Sequence, residues 1–124
     1  MSKGYVYILT NESFRENLLK IGTSTLPVDE LIEELDTEDL ALPYDPFAII
    51  QTRDFELLEE LSHQKLDQFT ENQWNKALGF YNLHPERALG FLFDLVIEHG
   101  IGDAIVIRYT DGKPCQVFPP VDAP

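Results

Sequence analysis

Three features of the 124-residue sequence predict an α+β fold: a small antiparallel sheet with a three-stranded core, flanked by helices and followed by a C-terminal β-hairpin. The opening "GYVYILT" alternates Tyr5, Tyr7 and Leu9 with Val6 and Ile8, the two-residue period of a strand rich in aromatic and β-branched types. From Pro27 to Asp36 the apolar residues Val28, Leu31, Ile32 and Leu35 recur at i, i+3, i+4 and i+7, one complete buried stripe of a helix. "AIVIRYTDGKPCQVF" alternates on both sides of Asp111-Gly112, the signature of a hairpin with a two-residue turn.

The remaining elements follow in order. Residues 4 to 9 form the first strand, and Leu18 to Ile21 its partner across the polar connection "TNESFREN", with Gly22 ending the second strand. Pro27 suits a first helical turn because its missing N–H costs nothing there, and Asp29 and Glu30 favour the positive end of the helix dipole. Phe47 to Thr52 reads as a third strand, approached through Pro43 and Pro46. Asp54 caps a second helix to about Phe69, with Phe55, Leu58, Leu61 and Leu66 inward. The capping-box spacing of Thr70 and Gln73 predicts a short helix with Trp74, Ala77 and Leu78, stopped by Gly79. Phe80 to Leu83 is a short extended piece. Pro85 starts a last helix that buries Ala88, Phe91, Leu92 and Leu95 and ends at Gly100.

A chain of this length that is 44% hydrophobic supports one packed core, so residues 1 to 124 are expected to be one domain, with its core at about 4 to 95 and the hairpin reaching about 118. No apolar run approaches the roughly 20 residues that span a bilayer, and the N-terminus lacks the apolar stretch of a signal peptide. The expectation is a cytoplasmic protein with no membrane partner. Cys115 stands alone and cannot form an internal disulfide.

Charge is the strongest compositional signal. Twenty-two acids against nine bases give a net charge of −13, which repels phosphate backbones unless the bases cluster. Between Lys20 and Arg53 there are eight acids and no Lys or Arg, so the bases do not cluster there. Asp29, Glu30, Glu33 and Glu34 on the first helix are the candidate binding residues. They form either a solvated helix face or a surface for a basic partner, one that could imitate nucleic acid.

The order strand, strand, helix, strand, helix carries further motifs. "GYVYI" at Gly4 to Ile8, "LKIG" at Leu19 to Gly22, Pro46-Phe47, "LEELSH" at Leu58 to His63 and "GFYNLHPERA" at Gly79 to Ala88 occur in sequence. In that order the chain resembles the GIY-YIG nuclease superfamily, in particular its small single-domain phage and bacterial branch. The resemblance implies metal-assisted hydrolysis of phosphodiesters, with Tyr7, Lys20 and His63 at positions of the site. It also implies an Arg on the first helix to neutralise phosphate charge and a Glu to hold the divalent metal.

Those last two positions depart from the pattern. Leu31 stands where the family has its Arg and belongs to the buried stripe, and Gly79 stands where the family has its Glu and offers no ligand oxygen. Each surviving match has an ordinary alternative. Tyr7 is a proton acceptor or a core aromatic, Lys20 a cleft residue or a solvated strand lysine, and His63 a site residue or a surface imidazole beside Glu59 and Glu60. Glu59 and His63, at i and i+4, would hold a metal only with a third ligand from elsewhere.

The sequence therefore predicts a degenerate, non-catalytic GIY-YIG-like domain with no metal and no cofactor. It would act as an acidic binding or regulatory protein on a partner with a basic surface, such as a nucleic-acid-handling enzyme, and would bind DNA weakly or not at all. Two other readings stand beside it: an active endonuclease that uses magnesium or manganese, and a structural subunit unrelated to nucleic acid.

Overall fold

The structure, a computed structural model, describes residues 4–11, 18–35, 44–69 and 80–119. Strands β1 (Gly4–Thr10) and β2 (Leu18–Ser24) lead to helix α1 (Val28–Leu35), and β3 (Asp45–Thr52) to helix α2 (Phe55–Phe69). β4 (Phe80–Asn82), helix α3 (Pro85–Glu98) and the hairpin β5 (Ile105–Thr110) and β6 (Lys113–Phe118) complete the order. Most of the "TNESFREN" connection and the expected short helix with Trp74, Ala77, Leu78 and Gly79 lie outside the described residues.

The α+β class and the antiparallel sheet agree with the sequence reading, but the sheet is larger than three core strands. Among the described residues six strands are hydrogen-bonded in the order β4-β2-β1-β3-β5-β6. The hairpin does not close the fold separately; β5 pairs with β3 from Ala48↔Arg108 to Gln51↔Ile105 and so satisfies the main chain of that edge. β4 does the same for β2 at Leu18, Leu19 and Lys20.

β1 lies inside the sheet, and Gly4 through Leu9 are all buried. Its two side-chain sets enter different cores. Val6 and Ile8 join Leu19, Ile21, Ile50, Leu58, Leu66 and the buried stripe of α3. Tyr5, Tyr7 and Leu9 join Leu31, Tyr44 and Ile49, with Val28 and Leu35 of α1 packed against them. The sheet thus carries α1 on one face and α2 with α3 on the other.

Local signals explain the corners. The Leu31 N–H bonds the Pro27 carbonyl at 3.0 Å, closing the first turn of α1. At the start of α2 the buried Thr52 hydroxyl donates to Asp103 (2.6 Å) and accepts from the Asp54 N–H (3.1 Å), while the other Asp103 oxygen accepts from the Arg53 N–H (2.9 Å). His84 caps α3 by accepting from the Glu86 N–H at 3.2 Å, and Gly100 leaves the helix at φ +61°. Asp111 and Gly112 have φ of 52° and 78°, the left-handed pair that a two-residue hairpin turn requires.

Strand boundaries differ from the sequence reading: β3 begins at Asp45 and takes in Pro46, which the sequence reading leaves in the approach. Gly22 does not end the second strand; β2 continues to Ser24, with Gly22 opposite Tyr7. The glycine is needed for packing, because a Cβ there would lie 2.7 Å from Cζ of Tyr7.

Candidate functional site

Tyr7 sits at the centre of β1 with 5% of its surface exposed, against Leu31 and Tyr44. Its ring covers Gly22, so the glycine of "LKIG" is what lets the phenol lie across the neighbouring strand. Burial pushes the Tyr7 hydroxyl up to about 12, and the charges of Glu59 and Glu34 push in the same direction. Desolvation disfavours the phenolate, and nearby carboxylates repel it.

Lys20 pairs with Leu9 across β1 and β2, which puts it on the Tyr7 face of the sheet. It is half-buried; burial lowers the ammonium, and the Glu59 charge works against that shift.

His63 comes from α2. Its Nδ1 is hydrogen-bonded to the hydroxyl of the fully buried Tyr81 on β4, the rings stack with centroids 5.5 Å apart, and Nε2 lies 3.8 Å from the Glu59 carboxylate. The imidazole is half-buried and tied to the sheet edge, which is more than a surface position beside carboxylates. The Tyr81 hydroxyl is also pushed up to about 12, by burial first and then by Asp67 and Glu59.

Glu59 is what these residues share. Its charge acts on Tyr7, Lys20 and Tyr81, and its oxygen faces His63. Sequence reading paired Glu59 with His63 through the helical spacing but not with the two strand residues, because strand pairing and helix packing set those distances. Tyr81 was passed over as one aromatic of a short extended piece.

Leu31 is 5% exposed within the tyrosine-rich core of α1. The described residues do not fit the divalent metal that the resemblance implies. Glu59 and His63 offer two ligands, one His63 nitrogen is engaged by Tyr81, and no three His, Cys, Asp or Glu side chains converge among the described residues. Position 79, outside the described residues, is a glycine and carries no side-chain oxygen.

Asp29, Glu30, Glu33 and Glu34 are all exposed on α1. No helix among the described residues is long and apolar enough to cross a membrane.

A family model described as the T5orf172 domain matches residues 4–91, which takes in β1 through the first half of α3. The chain belongs to the T5orf172 domain family. This is a nuclease-like domain, and the match covers every residue of the Glu59 neighbourhood. No curated protein and no solved structure matches the chain significantly. The hairpin β5–β6 lies beyond the span matched by the T5orf172 domain.

Proposed function

We propose that this T5orf172 domain is a degenerate GIY-YIG-type domain that binds a basic protein and does not cut nucleic acid. The observation that carries this reading is Leu31: it is 5% exposed and packed in one core with Tyr5, Tyr7 and Tyr44, at the position where the resemblance implies a guanidinium. A phosphodiester entering that neighbourhood meets the negative charges of Glu59 and Glu34 as well as Lys20, and a phenol pushed up to about 12 is neutral at physiological pH. Leu31 contributes packing where a guanidinium would be required.

The partner chemistry follows from α1. Its four exposed acids stand on a chain of net charge −13, so long-range attraction favours a basic protein surface and opposes DNA.

The test incubates the purified chain with magnesium or manganese and supercoiled, linear and single-stranded DNA. The expected result is no cleavage above background and weak or absent duplex binding at physiological salt. Cleavage that disappears in Tyr7→Phe would overturn the reading. It would favour the second one, a metal-dependent nuclease, for which the pair of ligand types Glu59 and His63, 3.8 Å apart on α2, speaks.

A further inference from the structure

α1 leaves part of its own sheet face uncovered. Between the start of the helix and the β5–β6 hairpin lies an open groove of about 650 Å³, with Tyr5, Ile49, Ile107 and Tyr109 among its lining residues, Asp29 on the helix side and Pro114 on the hairpin side. It is separate from the Glu59 neighbourhood: Lys20 stands on β2, the groove's isoleucines on β3 and β5, and β1 runs between them.

The lining is chemically mixed. The Tyr5 hydroxyl donates to the Leu26 carbonyl at 2.5 Å, which satisfies the polar end of that ring and fixes the segment leading into α1. Ile49 is buried, whereas Ile107 and Tyr109 are half-buried and Pro114 is exposed. The Tyr109 hydroxyl is raised by burial first and then by the Asp29 charge, so the carboxylate lies within electrostatic reach of the ring. Asp29, which lines the groove, also begins the row of exposed acids Asp29, Glu30, Glu33 and Glu34 on α1.

Aromatic and aliphatic walls beside one carboxylate match a specific side chain. A guanidinium stacks on a phenol ring, pairs with a carboxylate and carries an apolar stem that lies along isoleucine and proline. We propose that this groove seats an arginine side chain from a basic segment of the partner protein, while the acids of α1 attract the rest of that segment. The inference rests on the basic-partner reading above and goes further by naming the anchoring side chain and its seat.

The experiment titrates the isotopically labelled full chain with a short Gly-Arg-Pro-Arg-Gly amide peptide, its citrulline counterpart and an oligothymidylate, following backbone amide, methyl and aromatic NMR signals. The arginine peptide should give saturable shifts at the Ile49 and Ile107 methyls and the Tyr109 ring, and the citrulline peptide should not. Tyr109→Leu should weaken binding about tenfold while Tyr109→Phe, which keeps the ring face, should leave it nearly unchanged. Arginine-peptide shifts confined to Glu33 and Glu34 with a silent groove would overturn the anchor and leave the basic-partner reading intact. An equal response to citrulline would overturn arginine as the occupant. Oligothymidylate filling the groove while the arginine peptide does nothing would overturn both, as would the absence of any shift with the arginine peptide.

Discussion

The ring of Tyr7 occupies the space that a side chain on Gly22 would need: a Cβ at position 22 would stand 2.7 Å from Cζ of the phenol on the opposing strand. The glycine is fixed by its neighbour's ring, with no turn involved, and this contact positions the most central aromatic of the site. Gly22→Ala should therefore destabilise the fold by about 1–3 kcal/mol through overpacking. Combining it with Tyr7→Leu should recover part of that loss, and a double-mutant cycle by chemical denaturation measures the coupling.

Leu31 separates a packing role from a catalytic one. Leu31→Ala should cost about 2–4 kcal/mol by opening a cavity among Tyr5, Tyr7 and Tyr44. Leu31→Arg should also lose stability and should gain no nuclease activity, because Gly79 still supplies no metal carboxylate. Thermal melting and a plasmid-cleavage assay with magnesium or manganese check the two halves.

The His63–Tyr81 hydrogen bond ties α2 to the edge strand β4. His63→Ala and Tyr81→Phe should each destabilise the protein, and their double-mutant cycle should show a coupling of about 0.5–1.5 kcal/mol. Additive losses would mean that the contact contributes nothing beyond packing.

Alkaline pH tests the buried phenols. Tyr7 and Tyr81 are raised from the ordinary 10.0 to about 12 in the folded chain. Above 10 the unfolded chain releases these protons more readily than the folded one, so ionisation favours unfolding. The stabilisation is present in full below pH 10 and is lost as pH rises through about 12. Denaturation midpoints should hold near neutral pH and fall by about pH 11, with a shallower fall in Tyr81→Phe. Absorbance titration of the phenolates should show Tyr7 and Tyr81 ionising last, after Tyr5, Tyr44 and Tyr109, which burial raises less.

The acids of α1 are exposed, so neutralising Asp29, Glu30, Glu33 and Glu34 to Asn or Gln should leave the melting temperature unchanged or raise it as self-repulsion falls. Association with a basic protein should slow, and its dependence on ionic strength should flatten. Stopped-flow kinetics at two salt concentrations supplies the measurement; an unaltered on-rate would remove the acidic face from recognition.

Local pattern was enough for the elements themselves. The period of Tyr5, Tyr7 and Leu9, the stripe of Val28, Leu31 and Leu35, and the Asp111-Gly112 turn each encode a backbone geometry within a few residues, and the structure has a strand, a helix and a hairpin turn at those places. The burial of Leu31 was legible for the same reason, since helical spacing alone assigns its face. Which strands pair was decided by long-range closure. The sheet reaches six strands because the edges of β2 and β3 find β4 and β5, and no local period specifies that choice. The role of Gly22 depends on the register between β1 and β2, which sets a ring opposite a missing side chain. The electrostatics of Tyr7 and Lys20 depend on α2 bringing Glu59 near two strands distant from it in the chain, and the groove beside α1 on where that short helix stops covering the sheet. The elements and the buried stripe are legible in the chain because they are properties of neighbouring residues, and the net charge because it follows from composition. What surrounds each candidate side chain is set by the fold, because desolvation and charge act through space.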